Sequence, residues 1–273
     1  MDKNVLKKFA IESRQELMDK VSNKIKKFYI NEEFKISQNG EVSVLSNEKH
    51  TLSLTKKEYE NRQLLIKRIN EITLEQVIEE AAYTWFNRII AIRYMEIHDY
   101  LPLTKDNQSL GIRVLSSKDN TPDPEIMKIS NLVNSELDID FNKEYYSTIQ
   151  DNNKRFEYIL LLVCRKLGKV IPQVFDGITD YIDILIPDNL LNESGYISKL
   201  LKELPSENFN EVEIIGWLYQ YYNQLEKDKV ISAKKAYQKN EIPYVTQLFT
   251  PDWIVKYMVE NSLAKMWIDT TNR

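Results

Sequence analysis

The sequence predicts a mainly α-helical protein carrying one small β-hairpin near its amino end. Three observations carry this prediction. Apolar residues recur at three- and four-residue steps over most of the chain. Two capping signals, Thr55-Lys56-Lys57-Glu58 and Thr73-Leu74-Glu75-Gln76, follow each other closely and each opens an apolar-periodic stretch. Period-two alternation occurs in one place, where Phe34 and Ile36 precede Asn39-Gly40 and Val42 and Val44 follow it. With 273 residues, 42% of them hydrophobic, the chain is long enough for a substantial core in one large or two smaller domains.

In chain order, residues 4–29 read as an amphipathic helix, with Leu6, Ala10, Leu17, Val21, Ile25 and Phe28 on one face. Its other face carries Lys7, Lys8, Arg14, Lys20, Lys24 and Lys27. That face reads as solvated, with a phosphate or partner surface as the alternative. After the hairpin, the polar stretch from Leu45 to Leu54 reads as an exposed link. The box at Thr55 opens a helix to about Glu71, and Thr73 opens the longest helix, from about Leu74 to His98. This helix is apolar around much of its circumference and is expected at the centre of the core. Arg88 and Arg93 interrupt it, and a buried guanidinium needs partners. Glu79, Glu80 and Glu96 are the expected carboxylates, and a surface for a missing remainder of the protein is the alternative.

From Leu103 to Pro124 the chain reads as loop, with a short strand expected at Ile112-Arg113-Val114-Leu115. Pro122 and Pro124 precede a further helix, and Asp138 to Asp140 lie in an acidic connection. A helix from about Lys154 to Leu167 holds Cys164, expected as packing rather than as a nucleophile. Asp180, Asp183 and Asp188 read as surface acids and helix starts rather than a metal site. A helix from Ser194 to Leu204 stops at Pro205. Another, from Val212 through Tyr222, contains Gly216, which costs about 1 kcal/mol against Ala and so implies close packing with a neighbour. Lys227, Lys229, Lys234, Lys235 and Lys239 then form a basic segment.

Composition excludes several function classes. The net charge of −4 removes general attraction to nucleic acid, so any DNA contact must come from a local basic face. A single cysteine precludes an intrachain disulfide and agrees with a cytoplasmic setting. Met1-Asp2-Lys3-Asn4 lacks the apolar run of a signal peptide, and no stretch is apolar for long enough to span a bilayer. His50 and His98 with Cys164 make no zinc set, and neither a nucleophile elbow nor a Walker loop occurs.

The stretch that carries chemistry lies near the end. Thr246-Gln247-Leu248-Phe249-Thr250-Pro251 closes a loop and starts a helix. Thr250 is expected as the N-cap, Pro251 as the first helical residue, and Asp252 as a charge favoured by the helix dipole. Ile254, Met258 and Leu263, with Tyr257 and Val259, then form an apolar stripe. This hexapeptide resembles the Gly-Gln-Phe/Tyr-Phe/Tyr-Thr-Pro box of γ-type N6-adenine DNA methyltransferases, departing from it at Thr246 and Leu248. The longer match is similar to the PglX family of BREX phage-defence systems, which tolerates both departures. Upstream strings agree: Ala82-Tyr83-Thr84-Trp85-Phe86-Asn87-Arg88, Glu96-Ile97-His98-Asp99-Tyr100-Leu101-Pro102, Gly111 to Ser117, Pro187-Asp188-Asn189-Leu190-Leu191, and Val212 to Tyr222.

The resemblance implies an adenine-specific enzyme that marks self DNA with methyl groups from S-adenosylmethionine, working with DNA and other BREX-system proteins and without a membrane. It assigns Thr246, Phe249, Thr250 and Pro251 to cofactor binding, with a core role equally open to Phe249. No catalytic residue is assigned. Of the 8 prolines none follows Asn or adjoins another Pro, so the adenine-holding Asn-Pro-Pro-Tyr motif is missing. The 6 glycines are scattered and form no cofactor loop. The α/β methyltransferase core is therefore expected to be absent, and the chain to be an amino-terminal fragment inactive alone. The expected organisation is an amino-terminal helix and hairpin at 1–54, a helical domain at 55–240, and the start of the methyltransferase domain at 241–273. The alternatives are a helical interaction module of a defence complex with no cofactor role, and a stand-alone truncated product.

Overall fold

The computed structural model describes residues 2–40, 42–105, 108–119, 121–128, 141–175, 181–239, 241–246 and 248–271. The expected acidic connection at Asp138 to Asp140, and Asp180, lie outside these. Contacts divide the chain into two compact units, Ser13–Pro205 and a second made of Met1–Glu12 with Ser206–Arg273. The described residues are mainly α, as their periodicity predicts, with a small three-stranded antiparallel sheet and a second pair of two-residue strands.

Helix α1 spans Lys3–Lys26. Leu17, Val21 and Ile25 are buried on the predicted face, with Phe28 buried in the turn that follows. The other face departs from expectation, because Arg14 and Lys24 are buried. Arg14 Nη2 donates to Glu79 Oε1 at 2.6 Å. Lys24 Nζ donates to Asp188, which also accepts from Lys27 at 2.7 Å and Lys154 at 3.0 Å. Helical periodicity marks where charges sit on a wheel, and cannot tell which of them will meet a carboxylate from a distant segment.

Strands β1 (Lys35–Asn39), β2 (Val42–Ser46) and β3 (Thr51–Thr55) form a sheet in that order, each pair antiparallel. Asn39 pairs with Val42, so the turn lies one residue later than Asn39-Gly40 suggests, with Gly40 at φ 59°. Gly tolerates that left-handed conformation without a Cβ clash. The polar link expected from Leu45 to Leu54 is instead the sheet's second hairpin. Leu45 and Leu54 are buried while Val42 and Ile36 face solvent. Strand β1 is wholly exposed, so the apolar residue it carries points outward.

Helix α2 (Lys56–Glu71) begins with the complete reciprocal box between Thr55 and Glu58. Its Arg62 reaches back, donating to the carbonyls of Phe28 at 2.9 Å and Tyr29 at 3.0 Å, and so satisfies the turn after α1. Helix α3 (Leu74–Ile97) is capped by Thr73, whose hydroxyl accepts from the Gln76 amide. Ala81, Ala82, Trp85, Phe86, Ile89, Ile90 and Ile92 are buried, so α3 occupies the centre of its unit as expected. Arg93 Nη1 meets Glu96 at 2.6 Å, as predicted. Arg88 does not use the predicted carboxylates; it donates to the Phe175 carbonyl at 3.1 Å and lies 3.6 Å from Asp183. Glu79 and Glu80 are taken by Arg14 and by Arg68 with Tyr181.

No strand forms at Ile112 to Leu115. The amides of Val114 and Leu115 both donate at 2.8 Å to Glu96 Oε2, and that of Arg113 donates to Glu125 at 3.0 Å. Carboxylates supply what a neighbouring strand would have supplied, which leaves the segment buried yet irregular. Short strands pair instead at Thr104–Lys105 and Gln108–Ser109. Helix α4 (Asn152–Gly168) is capped by Asp151 and buries Cys164, whose thiol burial pushes up to about 12, consistent with packing. Helix α5 (Tyr196–Glu203) begins at Gly195, where any Cβ would lie 2.5 Å from the Asn189 carbonyl.

Asp188 yields a prediction. Burial alone would raise its carboxyl, but hydrogen bonds and charge from Lys24, Lys27 and Lys154 outweigh this and hold it well below the usual carboxylate range. A depressed carboxylate stabilises the fold above its unfolded pKa of about 4 and loses that contribution as pH falls below it. Asp188→Asn is expected to cost roughly 2 kcal/mol at pH 7, less than a fully buried pair. Denaturant titrations from pH 7 to pH 3 should show the gap to wild type narrowing below about pH 4. A gap independent of pH would refute the account.

Candidate functional site

The box belongs to the unit of Met1–Glu12 and Ser206–Arg273, and helix α6 (Glu213–Tyr222) positions it. Ile214, Leu218 and Tyr222 are buried from one side of α6, with Leu6, Phe9, Ala10 and Phe209 also in this unit's core. Trp217, Gln220 and Gly216 remain for another partner. Lys3 Nζ stands 4.1 Å from the Trp217 ring centroid and Tyr221 stacks beside it at 6.0 Å.

That partner is Phe249. A Cβ added to Gly216 would lie 1.9 Å from Phe249 Cδ2, so the ring lies directly over the glycine. Trp217 meets the same ring edge-on at 5.2 Å, and the Phe249 amide donates to Gln220 Oε1 at 3.0 Å. The close packing expected at Gly216 is therefore present, and its neighbour is the box. Trp217 and Gln220 escaped the sequence reading. Their only signal was their place beside a glycine inside an apolar helix.

Helix α7 (Gln224–Ser232) and helix α8 (Ile242–Thr246) lead into the box. The basic segment that begins within α7 and runs on to α8 is largely exposed, with Lys229 paired to Glu226 at 2.8 Å and Lys235 to Glu241 at 3.4 Å. A backbone hydrogen bond from Gln238, aided by Lys235, holds the Glu241 carboxyl below its ordinary value. Thr246 ends α8, its hydroxyl donating to the Ile242 carbonyl at 2.8 Å. Gln247 lies outside the described residues. Leu248 is exposed, Phe249 half-buried and Thr250 exposed.

The helix start differs from expectation by one residue. Helix α9 spans Asp252–Val259, its N-cap is Pro251 at φ −57° and ψ 143°, and no side chain caps it. Thr250 is therefore not the N-cap. The Pro251 ring sets the φ that leads into the helix, and its extended ψ places the cap there. The Pro251 carbonyl accepts from Ile254 at 3.0 Å and Val255 at 3.3 Å. The amides of Asp252 and Trp253, in the first turn, have no acceptor within the helix. Asp252 pairs with Lys256 at 2.7 Å, which offsets its charge at this end. The geometry thus offers a hydroxyl, first-turn amides and the edge of a fixed aromatic ring, a set suited to an anionic group with an apolar body.

Beyond Val259 the helix widens into a π segment, Glu260–Ala264, and continues as α10, Lys265–Thr271. The π turn breaks the 3.6-residue period across which the apolar stripe was read. Trp253, Tyr257, Met258, Leu263, Met266 and Trp267 are each more than 60% exposed. Among the described residues, no group of three or more His, Cys, Asp or Glu could hold a metal, and no helix is long and apolar enough to cross a membrane.

Comparison with known proteins gives a consistent result. The chain is 35% identical over 293 aligned positions to the adenine-specific methyltransferase PglX of Lacticaseibacillus casei (strain Zhang), covering 98% of this chain and 23% of that protein. It is 33% identical over 279 positions to the adenine-specific methyltransferase BrxX of Escherichia coli O9:H4 (strain HS), covering 99% of this chain and 22% of that protein. The chain spans less than a quarter of the length of these curated relatives. No family model matches it.

Proposed function

Because this chain is related over nearly its whole length to the PglX and BrxX adenine-specific methyltransferases, we propose that it is the amino-terminal part of a site-specific DNA adenine-N6 methyltransferase. The enzyme takes its methyl group from S-adenosylmethionine, acts in the cytoplasm, and serves BREX phage defence together with other proteins of that system. Residues 241–273 begin the methyltransferase domain, preceded by an amino-terminal helix and sheet at 1–54 and a helical domain at 55–240. The observation that carries the reading is a box resembling that of the γ-type methyltransferases inside a chain that aligns over nearly all of its own length with part of such enzymes.

The box fits the cofactor's chemistry. S-adenosylmethionine, when bound, supplies the electrophilic methyl group. On this chain the Thr250 hydroxyl and the first amides of α9 hold its carboxylate, Pro251 keeps those amides at the helix start, and Thr246 ends the helix leading in. Phe249 contributes the part of its ring that is not packed on Gly216. The chain contributes no adenine-holding motif, so catalysis belongs to the rest of the enzyme. The exposed side of α9 and α10 packs against that remainder. In the rival reading a defence-complex partner covers the same side and the box binds no cofactor.

The test is methyl transfer to adenine in duplex DNA. The complete enzyme is expected to form N6-methyladenine, and the 273-residue chain alone to form none. A complete enzyme without this activity would sink the reading, and activity of the chain alone would sink its division of labour. Thr250→Ala separates cofactor from fold. Because Thr250 caps nothing, the substitution should change stability by less than about 0.5 kcal/mol. It should also raise the cofactor dissociation constant of the complete enzyme about tenfold, the worth of one charge-assisted hydrogen bond. Unchanged affinity by calorimetry favours the interaction module.

A further inference from the structure

One face of α6 holds the box residue Phe249 at two points. Gly216 lies under its ring, and Trp217 meets that ring edge-on at 5.2 Å. One turn beyond Gly216, on the same face, Gln220 Oε1 accepts from the Phe249 amide at 3.0 Å. Trp217 is itself fixed, with Lys3 Nζ 4.1 Å from its ring centroid and Tyr221 stacked at 6.0 Å. Among the described residues, the bond to Gln220 is the one hydrogen bond that joins Leu248, Phe249 or Thr250 to another segment. All of these groups lie in the unit of Met1–Glu12 and Ser206–Arg273.

The two attachments do different things. The ring contact is apolar and non-directional, so alone it lets the backbone pivot over Gly216. The hydrogen bond is directional and fixes that rotation. Thr250 precedes a proline, which favours an extended backbone at Thr250. Neighbouring side chains of an extended chain point to opposite sides. With Phe249 turned onto α6, Thr250 is turned away from it, and Thr250 is exposed where Phe249 is half-buried. The Phe249 amide is engaged with Gln220, and Pro251 has no amide. The donors at the start of α9 are then the Thr250 hydroxyl and the amides of Asp252 and Trp253. Their direction follows from the rotation of the backbone just before them.

We propose that Gln220 is a positioning residue for the cofactor site. Through the Phe249 amide it turns Thr250 and the first turn of α9 toward the carboxylate of the cofactor. The assignment rests on the cofactor reading of the box and adds to it a residue that acts through the backbone, outside the box itself.

Gln220→Met tests it, because Met keeps the length of the side chain and removes the carboxamide acceptor. In the 273-residue chain, hydrogen exchange of the Phe249 amide should quicken about tenfold, the loss of one hydrogen bond. In the complete enzyme, calorimetry should show the dissociation constant of S-adenosylhomocysteine raised about fivefold. 5′-Methylthioadenosine has the same nucleoside and thioether but no carboxylate, and it should bind wild type and variant alike. Unchanged exchange overturns the role given to the hydrogen bond. Quickened exchange with unchanged S-adenosylhomocysteine affinity overturns the positioning role. Equal weakening of both ligands makes Gln220 a residue of the fold and overturns that role as well. A wild-type enzyme that binds neither ligand overturns the cofactor reading of the box, and this inference with it, which separates that failure from the others.

Discussion

Replacing Glu96 with Ala is expected to destabilise the chain by about 3–5 kcal/mol. The Glu96 carboxylate is fully buried and engaged on both oxygens. Oε2 accepts from the amides of Val114 and Leu115, while Oε1 accepts from Arg93 and from the Ser116 hydroxyl. Truncation removes the carboxylate facing a buried guanidinium and strips two buried amides of their acceptor at once. Each of those amides costs about 1–3 kcal/mol when unsatisfied, and nothing else in an irregular segment replaces the lost acceptor. Glu96→Gln keeps the volume and one carbonyl oxygen but turns an N–H₂ toward groups that are themselves donors. It should cost about 2 kcal/mol, and Ser116→Ala, which removes one donor to Glu96 and one acceptor from Arg93 but leaves the carboxylate in place, about 1 kcal/mol. Urea titration of the three variants checks the order. A Glu96→Ala chain within 1 kcal/mol of wild type, by the same measure of a buried partner's worth, would mean that the segment from Arg113 to Ser116 is not held by this carboxylate.

Gly216→Ala is expected to destabilise the unit that carries the box by about 2 kcal/mol, although helix propensity alone would make Ala better by about 1 kcal/mol. The sign is decided by the Phe249 ring, which the new methyl would overlap at 1.9 Å. The overlap covers the body of the ring rather than a flexible tip. Relief therefore requires Phe249 to leave Trp217 and to give up the amide bond to Gln220. A double-mutant cycle makes the argument sharp. In a Phe249→Ala background the ring is gone, and Gly216→Ala should become stabilising by about 1 kcal/mol. Thermal and urea denaturation of the four chains measure the coupling. If Gly216→Ala has the same sign in both backgrounds, the ring does not explain the glycine.

These two sites mark where sequence reasoning succeeds and where it stops. Gly216 was legible as a close approach because a glycine inside an apolar helix has few other reasons to persist there. That the approaching group is the box phenylalanine was not legible, since 33 residues separate them in the sequence and no local rule spans that distance. Glu96 was legible as a partner for Arg93, three residues away on one helix face. Its second role, replacing a strand for Val114 and Leu115, was hidden because a short run of apolar residues looks the same paired to a strand or to a carboxylate.

The sequence by itself determined the helices with strong local signals. The capping box at Thr55, the N-cap at Thr73, the stripe of α1, and the long apolar α3 all stand as read, because their causes lie within one or two turns of chain. It also carried the family likeness, whose strings are linear. Tertiary structure alone decided which surface cations are buried, which face of the sheet is covered, and that Arg88 meets Asp183. It decided, too, that Pro251 rather than Thr250 caps α9, where two adjacent residues both suit a helix start and backbone conformation chooses between them. Burial, pairing and close approach arise between segments far apart in the chain. The energy of a charge or a backbone amide depends on what those segments bring beside it, which no local pattern records.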